Sequence, residues 1–156
     1  MKFYIVRHGM ARSKEEDPER SLNEQGIAET KRIADFLKPL KLSVDAIYHS
    51  GKARSKETAD IIAASVESAQ GVKQRDGIDP DDDVKKFAKE IDKGDKNIMI
   101  AGHQPFLGKL IGYLLIGDQA EVLVTPALSC VICFERDEEG RWLIQWMVIP
   151  ESLKAL

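Results

Sequence analysis

Apolar residues recur along the chain with two different periods, and the alternation of these periods predicts strands and helices in turn. Residues 3–6 form a short, fully apolar run that is typical of a buried strand. Residues 44–48 and 97–101 also read as strands, and a weak strand is predicted around residues 72–74. Apolar positions spaced three and four residues apart predict helices between these strands. The predicted helices cover residues 23–38, 53–64, 84–91 and 106–116.

The last third of the chain changes character. Residues 128–135 and 141–149 read as two strands joined by a turn at residues 137–140, which predicts an antiparallel hairpin. Strands that alternate with helices imply a mostly parallel sheet with helices on both faces. We therefore predict one domain over residues 1–156: an α/β fold in the form of a three-layer α/β/α sandwich, with antiparallel character near the C-terminus.

Composition and charge narrow the classes of function. The chain has 156 residues, of which 43% are hydrophobic and 31% charged, and its net charge is −3. A negative net charge does not indicate a basic surface that would bind nucleic acid or an anionic membrane. The longest apolar stretch, residues 110–116, is far shorter than the roughly 18 residues of a membrane span, and the N-terminal apolar run is too short for a signal peptide. We expect a cytoplasmic protein without nucleic-acid or membrane partners.

Cys130 and Cys133 form a C-x-x-C string, a spacing found in redox and metal sites. Here the string lies in a predicted strand, where side chains three residues apart point to opposite faces. We therefore interpret both cysteines as packing residues.

Polar residues follow three of the predicted strands. The first strand ends in Arg7-His8-Gly9, the second in His49-Ser50-Gly51 with Arg54 in the next helical turn, and the third in Gly102-His103-Gln104-Pro105. Ligands of open α/β sheets bind beyond the carboxyl ends of the strands. Two arginines, two histidines and glycine backbone at that edge indicate an anion site, because the guanidinium fork suits phosphate oxygens. No G-x-x-x-x-G-K-[ST] loop is present, which excludes a P-loop nucleotidase.

These segments resemble the histidine phosphatase superfamily. Arg7-His8-Gly9 resembles its R-H-G signature, Ser50-x-x-x-Arg54 followed by Thr58-Ala59 resembles its S-x-x-x-R-x-x-x-T-A segment, and Gly102-His103 resembles its second histidine. More narrowly, R-H-G-M-A and the run from Asp17 to Gly26 are similar to the R-H-G-x-A and D-x-x-R-x-L-[TN]-x-x-G segments of SixA-type phosphohistidine phosphatases.

The resemblance implies a phosphoglycerate mutase-like fold and a phosphohistidine intermediate on His8, with no cofactor and no metal. It implies catalytic roles for Arg7, His8, Arg54 and His103. The expected phosphate-binding residues are Arg7, Gly9, Arg20, Ser50, Arg54, Gly102 and His103. The sequence departs from the family pattern in two places. Lys14 and its neighbours occupy the region where the phosphoglycerate mutase branch carries an asparagine, and the glutamate that serves as an acid near mid-chain in that branch is absent from the sequence. Gly51 replaces the proline that follows the serine in the family.

Three features of the sequence have more than one interpretation. His49 matches no ligand position of the family and is interpreted as a strand-end histidine near the site. Arg20 has three possible roles: contact with phosphate, recognition of an acidic partner, or an ion pair with Asp17. The aspartates between residues 79 and 83 suit a divalent cation or a general acid, but they equally suit capping of the helix that follows.

The expected substrate is a phosphohistidine-containing signalling or phosphotransfer protein. A small phosphorylated metabolite is the alternative within the same superfamily. A metal-dependent hydrolase using His8, His49 and His103 is less favoured, because their spacing matches no compact metal motif and arginines beside a cation are unfavourable. A phosphate-binding module without catalysis is also disfavoured, since both histidines and both arginines are present.

Overall fold

A six-stranded sheet with helices on both faces organises the chain in the computed structural model, which describes residues 1–155. The strands are β1 (Lys2–Arg7), β2 (Ser43–Val44), β3 (Ala46–His49), β4 (Glu67–Ser68), β5 (Val72–Gln74), β6 (Ile98–Gly102), β7 (Val131–Arg136) and β8 (Trp142–Val148). The α-helices are α1 (Glu24–Leu37), α2 (Ala53–Ala63), α3 (Val84–Lys93), α4 (Phe106–Ile116) and α5 (Pro150–Leu153). A short 3₁₀ turn, Lys38–Leu40, follows α1.

The order of strands in the main sheet is β5-β3-β6-β1-β7-β8, while β2 and β4 pair separately. The four strands β5, β3, β6 and β1 are parallel, and β7 and β8 are antiparallel additions beside β1. The predicted fold class is thereby confirmed. The carboxyl ends of β1, β3 and β6 share one edge of the sheet, and β7 begins at that same edge.

The core consists of two apolar clusters, one on each face of the sheet. Successive residues of β1 alternate between them, with Phe3 and Ile5 in the cluster under α3 and α4, and Tyr4 and Val6 in the cluster under α1 and α2. The two cysteines also divide, since Cys130 belongs to the first cluster and Cys133 to the second. Both are buried free thiols. The prediction that they face opposite sides as packing residues is confirmed.

Side-chain caps define where two helices begin. The side chain of Asn23 accepts a hydrogen bond from the amide of Gly26 at 2.8 Å, and α1 ends at Leu37, before Pro39, as predicted. The side chain of Asp83 accepts from the amide of Lys85 at 2.9 Å and starts α3. For Asp83, capping is therefore the interpretation that the structure supports.

Two predicted strands differ from those observed. The strand predicted at residues 44–48 is split at Asp45, because Val44 pairs with β4 whereas the chain from Ala46 onward joins the main sheet. The strand predicted at 128–135 begins only at Val131, because Ser129 adopts a left-handed backbone conformation with φ of 60°. None of the helices in residues 1–155 has the length and apolar character needed to cross a membrane.

Replacing Asp83 by alanine should lower the free energy of unfolding by about 1 kcal/mol, because an amide of the first turn of α3 loses its acceptor. Chemical denaturation of the variant and the parent protein measures the difference. Asp81→Ala is the matched control, since the side chain of Asp81 accepts no hydrogen bond within residues 1–155. An equal loss of stability in both variants would contradict the capping role.

Candidate active site

Parallel pairing of β1 with β6 brings the two predicted site histidines together. Arg7 lies opposite Gly102 in the register, and the amide of His8 donates to the carbonyl oxygen of Gly102 at 3.0 Å. The residues that follow the two strands, His8 and His103, consequently lie side by side with ring centroids 5.1 Å apart. Gly102 thus contributes a backbone acceptor that positions the loop of His8.

One ring nitrogen of His8 forms a hydrogen bond, and the other has no hydrogen-bond partner among the described residues. Nδ1 lies 2.7 Å from the carbonyl oxygen of Gly9. A carbonyl oxygen only accepts, so Nδ1 must carry the proton and the lone pair of the neutral ring lies on Nε2. The pKa of His8 is lowered from 6.5 to about 4, mainly by burial; the hydrogen bond to Gly9 raises it, and the positive charges of Arg54, Arg7 and Arg20 lower it. At neutral pH, Nε2 of His8 is therefore unprotonated, and its lone pair is available.

His103 is almost completely buried, with 1% of its surface exposed. Its Nε2 lies 2.7 Å from the hydroxyl oxygen of Ser50, while Nδ1 is buried without a hydrogen-bond partner among the described residues. Burial lowers the pKa of His103 to about 3, with smaller contributions from His8 and Arg54. The ring is therefore neutral and has one unused nitrogen.

The two predicted arginines bring positive charge to the site. Nη1 of Arg7 donates to the carbonyl oxygen of Pro126 at 2.8 Å, which fixes the guanidinium beside β1. The Nε atoms of Arg7 and Arg54 are buried without partners, and neither arginine belongs to an ion pair within residues 1–155. Burial lowers the pKa of both side chains, although arginine remains a cation at neutral pH. Buried unpaired donors with positive charge indicate a site for an anion.

Thr58 joins the His8 loop to the helix that carries Arg54. Its hydroxyl accepts from the amide of Gly9 at 3.0 Å and donates to the carbonyl oxygen of Arg54 at 2.7 Å. Gly9 is thus held through its amide by Thr58 and through its carbonyl by His8. These contacts set the position of the nucleophile relative to α2.

Ser129 and Thr30 support the site, and the sequence analysis assigned neither of them to it. The amide of Ser129 donates to the carbonyl oxygen of Arg7 at 3.1 Å, and its hydroxyl lies 2.8 Å from that of Thr30. Thr30 in turn donates to the carbonyl oxygen of Gly26 at 2.7 Å. Neither residue carried a sequence signal for the site, because Thr30 lay within the predicted helix at 23–38 and Ser129 within the predicted strand at 128–135.

Gly26, the last residue of the SixA-type run, is required by a close approach of two backbones. The amide of Asn23 donates to the carbonyl oxygen of Met10 at 3.0 Å, which draws the His8 loop against the start of α1. A Cβ at Gly26 would lie 2.1 Å from that same oxygen. Only glycine fits this position without a shift of the loop.

Arg20 lies in the wall of a cleft of about 650 Å³ that also contains Arg54. Its Nε donates to the carbonyl oxygen of Arg12 at 3.1 Å, and its backbone is left-handed with φ of 53°. Asp17 accepts hydrogen bonds from the amide and the hydroxyl of Ser21, and no ion pair between Asp17 and Arg20 is present among the described residues. The positive charge of Arg20 is directed at the site, since it lowers the pKa of both His8 and His103.

The acidic segment forms another wall of this cleft. Asp79, Asp81 and Asp82 line it together with Lys14 and Lys52. Asp79 lies 3.9 Å from the ammonium group of Lys52, and the carboxylate of Asp82 accepts from the amide of Asp79 at 2.8 Å. Within residues 1–155, no three histidine, cysteine or carboxylate side chains are grouped so that they could hold a metal ion.

His49 has a local structural contact at the end of β3. Its Nδ1 accepts a hydrogen bond from the amide of Gly51 at 3.0 Å, which closes the turn that contains Ser50. The side chain is 5% exposed. Its interpretation as a strand-end histidine near the site agrees with this position.

Known proteins resemble this chain in sequence and in fold. The model of the histidine phosphatase superfamily, branch 1, matches residues 3–79. The chain is 24% identical over 159 residues to the phosphohistidine phosphatase SixA of Escherichia coli, across 99% of this chain and 97% of that protein. It is 31% identical over 116 residues to an uncharacterised protein of Picosynechococcus, across 70% of each. A solved structure of the protein histidine phosphatase SixA complexed with tungstate has a TM-score of 0.84 at 23% identity, covering 98% of this chain and 99% of that one.

The sequence segments, the fold and the neighbouring histidines with their two unpaired arginines lead to the same assignment. The chain belongs to the histidine phosphatase superfamily and is a SixA-like member of it.

Proposed function

We propose that this protein removes phosphate from phosphohistidine on a signalling or phosphotransfer protein, with His8 as the nucleophile. Membership of the superfamily supports phosphatase activity in general. The observation that carries the proposal is a neutral His8 whose Nε2 has no hydrogen-bond partner within residues 1–155, close to Arg7 and Arg54, whose buried Nε atoms are also unpartnered there. The related SixA structure was obtained with tungstate, a tetrahedral oxyanion, which is consistent with such a site.

In the first step, Nε2 of His8 attacks phosphorus, the bond from phosphorus to the substrate nitrogen breaks, and the substrate imidazole departs as a neutral ring after taking up a proton from solvent. In the second step, water attacks the phosphorus on His8, the bond to Nε2 breaks, one proton of the water returns to solvent, and phosphate is released from the restored neutral His8. Arg7, Arg54 and His103 bind the equatorial oxygens, and Arg20 holds the phosphoryl group from the cleft side. Catalysis of this kind depends on positioning and on stabilising charge on those oxygens.

The chemistry of the leaving group supports a phosphohistidine substrate. An alcohol leaves a phosphoester as an alkoxide and needs an acid beside it, whereas imidazole has a conjugate acid with a pKa of about 6.5. The two histidines of this site are neutral, and the carboxylates of the cleft lie in its exposed wall. The related Escherichia coli protein is named a phosphohistidine phosphatase. Such a site favours a leaving group that needs little protonation.

A second candidate is a phosphatase acting on a small phosphorylated metabolite. The observation that favours it is the acidic wall, in which Asp79, Asp81 and Asp82 share the cleft with Arg54. A carboxyl group from this wall would supply the proton that an alkoxide requires. The two candidates therefore differ in whether this wall takes part in the reaction.

Replacing His8 by alanine should lower kcat by at least roughly a thousandfold, because the variant lacks the group that forms the covalent intermediate. A quenched reaction with labelled substrate should trap an acid-labile, alkali-stable phosphoryl group on the wild type and none on His8→Ala. His49→Gln is the matched control and should still be labelled. Labelling should survive exhaustive chelation, and a phosphoenzyme that required added metal would support a metal-dependent hydrolase instead.

His8 should remain neutral from pH 7 down to about pH 4, because its pKa in the folded protein is about 4. The unfolded chain binds a proton near pH 6.5, so this histidine contributes stability above that pH, and the contribution is lost as the pH falls toward 4. An NMR titration of the His8 ring measures the pKa directly. Between pH 7.5 and 5, His8→Gln should lose roughly 2 kcal/mol less stability than the wild type. A titration midpoint near 6.5 would contradict the buried, positively charged surroundings described for His8.

The protein should prefer phosphohistidine over alkyl phosphoesters by at least roughly a hundredfold in kcat/KM, the lower range of what one general acid contributes. The aryl ester p-nitrophenyl phosphate should fall between the two, since its leaving group is also good. The measurement compares a phosphohistidine protein, p-nitrophenyl phosphate and sugar phosphates. The second candidate would be supported if sugar phosphates were the best substrates and if Asp79→Asn or Asp82→Asn removed only their turnover.

A further inference from the structure

We propose that Ser50 is a positioning residue that fixes the tautomer of His103, so that the buried Nδ1 of His103 carries the proton and faces the phosphoryl group. This inference rests on the proposed function for its catalytic consequence, but the tautomer itself is a property of the resting protein. Ser50 was expected to contact phosphate, and in the structure its hydroxyl contacts His103.

The hydrogen bonds of Ser50 determine where its proton goes. The amide of Lys52 donates to the Ser50 hydroxyl oxygen at 3.3 Å, which uses one acceptor position. The remaining contact of that oxygen is with Nε2 of His103 at 2.7 Å. Within residues 1–155 this nitrogen is the only acceptor available to the hydroxyl proton. Donation from Ser50 to Nε2 gives the hydroxyl proton an acceptor and leaves only the Nδ1–H of His103 unpartnered, whereas the reverse arrangement leaves the hydroxyl proton without an acceptor among the described residues.

A neutral imidazole that accepts at Nε2 must carry its proton at Nδ1. In His103 that Nδ1 is buried and unpartnered, and the ring lies beside the ring of the proposed nucleophile. An oxyanion placed there would accept from an N–H but would be repelled by a lone pair. The serine thus determines whether this buried nitrogen binds or repels phosphate.

The turn that contains Ser50 is itself fixed from two sides. The amide of Ser50 donates to the hydroxyl oxygen of Ser55 at 3.1 Å, and Ser55 donates to the carbonyl oxygen of Ala101 at 2.7 Å. Gly51 is held by Nδ1 of His49 at 3.0 Å. Because Ala101 belongs to β6, whose end carries His103, this turn holds the Ser50 hydroxyl at a fixed place relative to the ring. A positioning role requires this rigidity.

The chain provides its own reference for the test. His49 accepts at Nδ1 from the amide of Gly51, so its proton must lie on Nε2. His8 donates from Nδ1 to the carbonyl oxygen of Gly9. These are the three histidines of the sequence. Two protons are therefore expected on Nδ1, in His8 and His103, and one on Nε2, in His49.

The first experiment is a ¹⁵N NMR measurement of the imidazole nitrogens at neutral pH, without substrate, with each histidine assigned by single replacement. In the wild type, the Nδ1 of His103 should give a pyrrole-type shift and its Nε2 a pyridine-type shift, with the pattern reversed in His49. In Ser50→Ala, the shifts of His103 should move toward a mixture of tautomers, while those of His49 stay in place. A wild-type His103 protonated at Nε2 would overturn the proposal.

The second experiment connects the tautomer to catalysis. Ser50→Ala should lower kcat roughly five- to tenfold, the worth of one neutral hydrogen bond, with KM changing by less than about twofold. Ser50→Thr keeps the hydroxyl and should restore both kcat and the shifts of His103. The matched control is Ser43→Ala, an exposed serine in β2, which should leave all of these unchanged.

The two experiments separate this inference from the proposed function. An inactive wild type with the expected His103 shifts would reject the phosphatase proposal and leave the tautomer assignment supported. An active wild type in which Ser50→Ala moves neither the shifts nor kcat would reject the role of Ser50 and leave the phosphatase proposal intact.

Discussion

The site depends on the pairing of two parallel strands that end at the same level. Hydrogen bonds between β1 and β6 continue past the last residue of β1, where the amide of His8 donates to Gly102. Parallel strands with a common end point must project the residues that follow them from one edge of the sheet. His8 and His103 are therefore adjacent through backbone geometry alone. The remaining contacts adjust the directions in which the rings point.

Positive charge without a compensating carboxylate is the main electrostatic cost of this arrangement. Arg7 and Arg54 have buried Nε atoms without partners, and burying unpaired polar groups destabilises a folded protein. Burial, together with these positive charges, lowers the pKa of His8 and keeps its ring unprotonated at neutral pH, as the proposed nucleophile requires. Arrangements of residues that destabilise the folded protein are expected at sites where a protein binds a ligand. A bound phosphoryl group would satisfy both arginines at once.

The cleft outside the histidine pair brings together charges of both signs. The loop that carries Arg20 is held by Arg12 and by the turn around Asp17, whereas the opposite wall carries the aspartates before α3. The inner phosphate site and the outer cleft therefore have different chemistry. Under the proposed function, the inner residues bind and attack phosphate, while the outer walls select the group that is attached to it.

Local sequence patterns predicted the strands of the main sheet and helices α1 to α4, but not β4 or α5, and they identified the candidate site residues. The buried run of β1 and the capped start of α1 follow from side-chain periodicity and hydrogen-bonding chemistry that act over a few residues. The segments around Arg7, Arg54 and His103 were identifiable because each follows a strand. Their common edge followed from the expectation of a parallel sheet. The alternation of Cys130 and Cys133 was predictable for the same local reason.

Contacts between distant segments could not be predicted in this way. Ser129 reaches the site only because β7 runs antiparallel to β1 and starts at the carboxyl end of β1. This pairing brings Ser129 within hydrogen-bond distance of Thr30, although the two residues are 99 positions apart in the sequence. The hydrogen bond between Ser50 and His103 likewise joins two residues that are 53 positions apart in the sequence. The sequence by itself determined which elements form and which side chains are able to bind phosphate. Tertiary structure alone decided which nitrogen of each histidine is free, because a proton's position is set by whichever donor or acceptor the fold brings next to it.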